Sequence, residues 1–337
     1  MKFGIFGSEH DAQCQALRAI LEKKGAQTVI VESQGLNMGF DSAFDGERFF
    51  YKGQDLSDVK CWYLRYIMSP LPPAFEMSEE YYLFSDWFNE YMHRRERFSF
   101  QLSWLLSLGF EGIPVVNPPE HGTVAQLKTF QLHAARKAGL TIPKTLITNN
   151  ASRVRQFTQE NCSVVYKPAM GGSLCRLLDT EVLSRIELIA ASPVIFQEKI
   201  EGRSVRLTII GNELVSAVAI PSDAMDYRAD PAYSGGRQTY EPVEIPAPIL
   251  ESCLALMRSC GLCFTGIDLI QKADGSFVFL EANSSPIYLD IEQKTQTPIT
   301  AKLAEYMFRI ASEPHKQPKK TESFLSYAYP FNPARST

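Results

Sequence analysis

The chain has 337 residues, of which 45% are hydrophobic and 21% are charged, and this composition excludes a disordered or collagen-like chain. Its length predicts two or three domains. Thirty-four Lys and Arg residues against 38 Asp and Glu residues give a net charge of −4, so no basic field over the whole chain favours nucleic-acid binding.

The first residues and the cysteines indicate a cytoplasmic protein. The first apolar run is too short for a signal peptide, and no stretch approaches the roughly 20 apolar residues of a membrane helix. Seven cysteines, an odd number, favour a reducing compartment. Cys260 and Cys263 form a CxxC pair, which we interpret as core cysteines rather than as a redox pair or a zinc site, because they follow a helix end and lack ligand-spaced histidines.

Strand and helix patterns alternate along the first part of the chain, which predicts an open α/β sheet. The predicted elements are strands over residues 2–7, 28–31 and 59–66, helices over 11–24 and 79–108, and a strand with a stiff proline turn over 113–119. This proline turn marks the predicted boundary with the next domain.

The second part of the chain combines helices with short strands and hairpin turns, which is typical of an α+β arrangement. The predicted strands cover residues 145–147, 164–167, 194–197, 205–210, 214–220, 264–271 and 277–281, and the predicted helices cover 123–138, 249–259 and 300–312. A Pro- and Lys-rich linker and an aromatic segment follow.

Asp274 and Gly275 give the strongest hairpin signal in the chain, because this dipeptide is typical of a two-residue loop between antiparallel strands. With these two residues as the loop, Ala273 faces Ser276, and every residue farther out on the two strands receives a predicted partner.

Counted outward from that loop, Asp268 faces Glu281 and Gly266 faces Asn283, so Asp268, Glu281 and Asn283 share one face of the hairpin. Two carboxylates directly opposite each other repel. A hard divalent cation such as Mg²⁺, which prefers oxygen ligands, would remove that repulsion; a solvated hairpin face is the alternative interpretation. The other face is predicted to supply the core residues Ile267, Leu269, Val278 and Leu280.

Two lysines and a small-residue turn suit a nucleotide phosphate. Lys167 ends an apolar strand, and the turn with Gly171, Gly172 and Ser173 follows it, so backbone N–H groups could approach phosphate oxygens. Lys128 lies one element earlier on a helix, where a solvent-facing lysine is the alternative.

Two further features complete the pattern. The string Glu198-Lys199-Ile200 runs from a strand into a glycine turn and can offer backbone groups to a base. Arg206 lies among apolar residues of the next strand, where a charge requires an anionic partner. Arg228 follows in a polar loop, and a plain surface position is its alternative.

Taken in order, these elements resemble the ATP-grasp superfamily, and within it the microviridin-type (graspetide) peptide ligases and the ribosomal-protein-tail glutamate ligases. The strings that carry the resemblance are Lys128, Lys167 with Gly171-Gly172, Gln197 to Ile200, Gly202 to Arg206, Asp226-Tyr227-Arg228, Gly266 to Asp268 and Leu280 to Asn283.

The resemblance implies an N-terminal pre-ATP-grasp α/β domain over residues 1–118 and a two-lobed ATP-grasp fold, which makes the fold class α/β (α+β). The central lobe would cover 119–197, the C-terminal lobe with the metal site 198–312, and a linker with an aromatic tail 313–337.

The resemblance also implies a role for each candidate site residue. Nucleotide-binding residues would be Lys128, Lys167, Gly171, Gly172, Ser173, Glu198, Lys199 and Ile200. Arg206 and Arg228 would contact phosphate or the acyl-phosphate. The metal ligands would be Asp268, Glu281 and Asn283, in agreement with the trio found from the hairpin.

The function so implied is an ATP- and Mg²⁺-dependent ligase, with two Mg²⁺ ions expected, that activates a carboxylate as an acyl-phosphate and joins it to an amine or hydroxyl of a peptide. The alternatives are an amino-acid ligase acting on a small molecule or protein tail, and a nucleotide-binding module without turnover. We expect a peptide or small-molecule carboxylate as partner, neither nucleic acid nor membrane, and we leave a homodimer open.

Overall fold

The computed structural model of the protein describes residues 1–33, 41–67, 87–170 and 174–313. Contacts divide the chain into two compact units, one formed by Met1–Glu120 with the chain from Leu303 onward, the other by His121–Lys302. The aromatic tail and the start of the predicted helix 79–108 lie outside the described residues. No described helix is both long and apolar enough to cross a lipid bilayer.

The first unit contains a parallel four-stranded sheet in the order β2-β1-β6-β7, which confirms the predicted α/β start. Its elements are β1 (Lys2–Gly7), α1 (Ala12–Lys23), β2 (Gln27–Glu32), β3 (Ser42–Phe44), β4 (Phe49–Tyr51), β5 (Gln54–Asp55), β6 (Val59–Leu64), α2 (Trp87–Phe110) and β7 (Val115–Val116). Strands β3, β4 and β5 form a small antiparallel sheet that the sequence patterns did not predict.

The elements of the second unit are α4 (Lys128–Lys137), β8 (Thr145–Thr148), α5 (Ala151–Glu160), β9 (Val164–Pro168), β10 (Arg176–Leu177), α6 (Thr180–Ser184), β11 (Val194–Glu198), β12 (Arg203–Ile210), β13 (Glu213–Ile220), α7 (Pro231–Ser234), β14 (Glu241–Pro242), α8 (Ala247–Ser259), β15 (Phe264–Gln271), β16 (Phe277–Asn283) and α9 (Leu289–Thr295). Helices α3 (Pro119–Gly122) and α10 (Ile299–Ser312) each cross from one unit to the other. The strands form two antiparallel sheets, in the orders β10-β9-β11-β8 and β14-β13-β12-β15-β16. The chain passes from the first sheet to the second at residues 199–202.

Most of helix α10 belongs by its contacts to the first unit, although the sequence placed the whole helix with the C-terminal lobe. The ring of Phe308 packs edge-on against the ring of Phe3, with 4.7 Å between centroids. Apolar burial of this kind depends on which side chains meet in space and has no signature in the local pattern of the helix.

The hairpin loop between β15 and β16 has three residues, so the prediction of a two-residue loop was wrong. The N–H of Lys272 donates to the carbonyl of Ser276 at 2.9 Å, which leaves residues 273–275 in the loop. Gly275 has φ of 83°, the left-handed conformation that the last position of a three-residue loop requires.

A bulge in β16 restores the predicted register at the far end of the hairpin. Leu269 faces Phe279 and Asp268 faces Glu281, so Leu280 has no partner across the ladder. The predicted pairing of Asp268 with Glu281 is therefore confirmed. Between the bulge and the loop, the residues of β16 point to the face opposite to the predicted one. Phe277 and Phe279 therefore take the places of the predicted Val278 and Leu280 in the core cluster that contains Ile267 and Leu269.

The CxxC cysteines lie at the end of α8, as the sequence indicated. Cys260 follows the last residue of the helix and is 1% exposed within the core cluster, which confirms it as a core cysteine. Burial raises the pKa of its thiol to about 11, so this sulfur is a poor nucleophile at neutral pH. Cys263 is half-buried.

Helix α4 stabilises the edge strand β16 through Gln131, whose side chain is 1% exposed. Its amide nitrogen donates to the carbonyls of Val124 at 2.6 Å and Ala282 at 2.9 Å, and its amide oxygen accepts from the N–H of Ala282 at 2.9 Å. Ala282 lies between Glu281 and Asn283, so Gln131 fixes the backbone that carries two of the predicted metal ligands.

Replacing Gln131 by Leu should lower the free energy of unfolding by roughly 2–4 kcal/mol, because the N–H and the carbonyl of Ala282 lose their partner and the carbonyl of Val124 keeps only the N–H of Leu127. Chemical denaturation followed by circular dichroism measures this change. The exposed Gln156 of α5 provides the matched control, and its replacement by Leu should change the free energy by less than about 0.5 kcal/mol. Equal effects of the two substitutions would contradict the conclusion that Gln131 stabilises β16.

Candidate active site

Three oxygen-bearing side chains meet on one face of the β15–β16 hairpin. Asn283 donates from Nδ2 to Oδ2 of Asp268 at 3.3 Å and to Oε1 of Glu281 at 3.2 Å. The side chains of Asp268 and Glu281 are only 15% and 20% exposed. The cross-strand pairing and the period of two thus bring the predicted trio together.

This donor set fits a Mg²⁺ ion. Two carboxylates and an amide can supply hard oxygen ligands, and the amide nitrogen of Asn283 lies within hydrogen-bonding distance of both carboxylates. Among the described residues, no group of three or more His, Cys, Asp or Glu side chains is placed to hold a metal. The third oxygen of this trio comes instead from the amide of Asn283.

Arg206 on β12 lies directly across the ladder from Asp268. Its guanidinium donates to both carboxylate oxygens, from Nε to Oδ1 and from Nη2 to Oδ2 at 2.9 Å, and also donates to the hydroxyl of Tyr227 at 2.9 Å. The Arg206 side chain is 10% exposed. The sequence predicted an anionic partner for this buried arginine, and in this structure the partner is Asp268.

Glu281 is held by two lysines that come from different elements. Nζ of Lys128 donates to Oε2 of Glu281 at 2.9 Å, and Nζ of Lys167 lies 3.9 Å from the same oxygen. The Lys128 and Lys167 side chains are 7% and 16% exposed, so Lys128 is not the solvent-facing lysine of the alternative interpretation.

Electrostatics keep Glu281 ionised. Burial alone would raise the pKa of this carboxyl, but the attraction of Lys128 and Lys167 outweighs it and lowers the pKa to about 2. The carboxylate therefore remains charged and a hydrogen-bond acceptor over the whole physiological pH range.

Arg228 lies in the cavity wall, where its side chain is 39% exposed and is held by Asp226. Its Nε donates to Oδ1 of Asp226 at 2.9 Å and its Nη2 donates to Oδ2 at 2.6 Å. The N–H of Cys175 donates to the same Oδ2 at 3.0 Å. Burial opposes ionisation of Asp226, but the hydrogen bonds from Arg228 and Cys175 lower its pKa. Asp226 was not among the predicted site residues.

The string Glu198-Lys199-Ile200 lies where β11 ends. The backbone N–H of Glu198 donates to the carbonyl of Lys144 at 3.0 Å, and its side chain accepts from the N–H of Lys144 at 2.8 Å. Lys199 pairs with Glu201, with 2.7 Å between Nζ and Oε1. This segment forms the link between the two sheets and is fixed at both its backbone and its side chains.

A cavity of about 720 Å³ lies between the two sheets of the second unit and unites these features. The predicted site residues that line it are Lys167, Glu198, Lys199, Ile200, Arg206, Arg228, Asp268, Glu281 and Asn283. Lys128 does not line the cavity itself, but its Nζ donates to Glu281, which does. The predicted phosphate-loop residues Gly171, Gly172 and Ser173 lie outside the described residues.

The cavity also contains residues that no sequence pattern singled out. They are Tyr233 and Tyr240 from the segment around α7 and Asp290 from α9. Each is a common surface residue in a polar stretch without period, so only the folded arrangement identifies it.

Known protein families and solved structures resemble this chain in sequence and in fold. A family model described as the RimK-like ATP-grasp domain matches residues 125–307, which is more than half of the chain. A tetrahydromethanopterin:alpha-L-glutamate ligase of Methanococcus maripaludis is 20% identical and covers 93% of this chain and 100% of its own length.

Two solved structures agree with the fold. The ATP-grasp ligase PsnB, in complex with a phosphomimetic variant of a minimal precursor, Mg and ADP, is 27% identical, with a TM-score of 0.79 over 92% of this chain and 98% of its own. The macrocyclase MdnC bound with precursor peptide MdnA from Microcystis aeruginosa is 24% identical, with a TM-score of 0.74 over 91% and 98%. This likeness confirms the predicted fold class, an ATP-grasp fold with an N-terminal domain.

The pKa of Glu281 predicts a pH-dependent contribution to stability. Because the pKa is about 2 in the folded state and 4.5 as the reference for the unfolded state, the unfolded chain binds the proton first as the pH falls. The stabilisation is therefore complete above about pH 4.5 and is lost toward about pH 2. The difference in unfolding free energy between wild type and Glu281→Gln, measured with EDTA present, should shrink by roughly 3 kcal/mol over this range.

The surface carboxylate Glu213, which is 58% exposed and pairs with Lys302, provides the control. The difference between wild type and Glu213→Gln should change little across the same pH range, because an exposed ion pair contributes little. A constant difference for Glu281→Gln would contradict the lowered pKa of Glu281.

Proposed function

Because this chain belongs to the RimK-like ATP-grasp family, whose members are ligases, we propose that it uses ATP and Mg²⁺ to join a carboxylate to an amine or hydroxyl of a peptide. The observation that carries this proposal is the partly buried trio of Asp268, Glu281 and Asn283 in a cavity that is also lined by Lys167, Arg206 and Arg228. Carboxylates that would hold a metal ion are paired with cationic side chains within one cavity, and phosphoryl transfer uses both kinds of charge.

The nucleotide would lie along the lysine side of the cavity. Lys128 and Lys167 are in position to neutralise phosphate oxygens, and the backbone of Glu198 to Ile200 supplies donors and acceptors for a base. Asp268, Glu281 and Asn283 would hold Mg²⁺, with two ions expected. When bound, the metal supplies positive charge to the phosphate oxygens.

The reaction then needs positioning rather than a covalent enzyme intermediate. An oxygen of the substrate carboxylate attacks the γ-phosphorus of ATP, the bond to ADP breaks, and an acyl-phosphate forms. The acceptor attacks its carbonyl carbon, the new C–N or C–O bond forms, and phosphate leaves. Arg206 and Arg228 would hold the transferred phosphoryl group between the two steps, since guanidinium groups match its oxygens.

A peptide substrate is supported by the likeness to PsnB, which is 27% identical over nearly its whole length and holds a variant of a minimal precursor together with Mg and ADP. The alternative, an amino-acid ligase acting on a small molecule, is supported by the relative from Methanococcus maripaludis, which also matches this chain end to end. A binding module without turnover is disfavoured, because binding alone does not require a complete metal trio.

Removing one metal ligand should abolish catalysis. Asp268→Asn and Glu281→Gln should each lower Mg²⁺-dependent ADP release by at least about 100-fold, because each removes a charge from the metal ligands. A coupled spectrophotometric assay measures ADP. Asp274→Asn, in the exposed loop of the same hairpin, should leave the rate unchanged. Full activity of either ligand variant would contradict the metal assignment.

A screen of acceptors should identify the substrate class. Wild-type protein with Mg·ATP should release ADP in the presence of peptides that carry Asp or Glu together with Ser, Thr or Lys, and mass spectrometry of the peptide should show loss of one water molecule. Gain of an amino-acid residue mass on a small molecule or a protein tail would instead support the alternative. Absence of ADP release with every peptide and amino acid would contradict both ligase proposals.

A further inference from the structure

The proposed reaction leaves one chemical task without a residue. The acceptor carries a proton that must leave when its nitrogen or oxygen attacks the acyl-phosphate. None of the described residues that line the cavity is a histidine, and burial raises the pKa of the Cys175 thiol. A carboxylate is therefore the proton acceptor that the cavity offers, and its acidic lining residues are Glu198, Asp226, Asp268, Glu281 and Asp290.

Four of these carboxylates already have a proposed metal-binding role or a structural hydrogen-bonding role. Asp268 and Glu281 belong to the metal trio. Glu198 accepts the N–H of Lys144 at 2.8 Å in the link between the sheets. Asp226 is only 7% exposed, and its two oxygens accept hydrogen bonds from Arg228 and from the N–H of Cys175.

Asp290 differs from Asp226 in exposure and in remaining hydrogen-bonding capacity, and from Glu198 in lying outside the link between the two sheets. Its side chain is 41% exposed. Oδ2 accepts from the hydroxyl of Tyr240 at 2.6 Å and from Nζ of Lys294 at 3.0 Å, and Oδ1 lies 2.9 Å from the same Nζ. A carboxylate has about four lone-pair positions, so these contacts leave room for one further donor.

The surroundings of Asp290 hold it in place. Nζ of Lys294 also donates to the carbonyls of Gly236 at 2.9 Å and Gln238 at 2.8 Å, which ties helix α9 to the segment before Tyr240. Because Lys294 neutralises Asp290, the pair has no net charge. It therefore suits a neutral hydrogen-bond donor, a hydroxyl or an uncharged amine, better than a second cation.

Three tyrosines line the cavity, and one of them is bound to Arg206 and another to Asp290. The hydroxyl of Tyr227 accepts from Arg206, the rings of Tyr227 and Tyr233 make an edge contact with 5.4 Å between centroids, and Tyr240 reaches Asp290. All of these residues line the same cavity. The rings of these tyrosines can pack against the substrate chain that carries the acceptor group, between the acyl-phosphate and Asp290.

We propose that Asp290 is the catalytic residue that binds the acceptor hydroxyl or amine and takes its proton, an inference that rests on the proposed ligase function. The lone pair of the acceptor forms the bond to the acyl carbon while its proton passes to an oxygen of Asp290. The C–O bond to phosphate breaks, and the proton then passes from Asp290 to solvent.

The test separates formation of the acyl-phosphate from its capture. Wild type, Asp290→Asn and Lys294→Met are incubated with Mg·ATP and a peptide carrying Glu, Ser, Thr and Lys, with and without hydroxylamine. Hydroxylamine is a neutral nucleophile at neutral pH and converts an acyl-phosphate to a hydroxamate without a base. Asp290→Asn should keep hydroxamate formation within about twofold and lose peptide product on the order of 100-fold.

Lys294→Met removes the cationic partner of the Asp290–Lys294 ion pair and serves as the matched variant. If Asp290 only tied α9 to the segment 236–238, this variant would lose product at least as strongly as Asp290→Asn, and that result would overturn the proposal. We expect the smaller loss for Lys294→Met, because the base remains in place.

Asp290→Ala with added sodium formate provides a second, independent measurement. Recovery of peptide product with formate supports a proton-accepting role, since a small carboxylate can occupy the space left by the side chain. Loss of hydroxamate formation in both Asp290 variants would overturn the proposal, because Asp290 would then be needed for the fold of the cavity.

The outcomes also distinguish this proposal from the function on which it rests. Hydroxamate and product at wild-type rates in Asp290→Asn would overturn the role of Asp290 and leave the ligase function intact. Absence of both hydroxamate and product with wild-type protein would overturn the two proposals together.

Discussion

The second unit depends on the balance of charge around two carboxylates that face each other across one pair of strands. Asp268 and Glu281 are neighbours on β15 and β16, and both are largely buried. Arg206 compensates the first from the adjacent strand, and Lys128 compensates the second from helix α4. Buried charges of one sign are unstable unless cations are supplied, so strand order and helix placement in this unit are coupled to the chemistry of the site.

The backbone protects this arrangement in two ways. A three-residue loop alone would shift the register by one position and would turn Glu281 toward the core, but the bulge at Leu280 restores the facing pair. Gln131 then satisfies both backbone groups of Ala282, which lies between the two ligand-bearing residues of β16. The backbone groups that an edge strand leaves unpaired are thereby satisfied at Ala282, between Glu281 and Asn283.

Much of the fold was predictable because its signals are local. Apolar runs predicted the buried strands of both units, and a helix predicted over residues 11–24 corresponds to α1, which begins after its N-cap Asp11. The helices α5 and α9 and the small sheet of β3 to β5 were missed, because their sequences are polar or short. For α5 a signal existed: Asn150 accepts from the N–H groups of Ser152 and Arg153 as an N-cap.

By itself, the sequence determined the charge-bearing residues and predicted the pairing of Asp268 with Glu281, but the three-residue loop and the bulge that together produce this pairing are seen only in the folded hairpin. It also determined the order of strands and helices on which the ATP-grasp resemblance rests. Only the tertiary structure decided that Lys128 is buried against Glu281, that Asp226 holds Arg228, and that Asp290 joins the same cavity. Those contacts depend on packing between elements, many of them far apart in the chain, and no local periodicity encodes them.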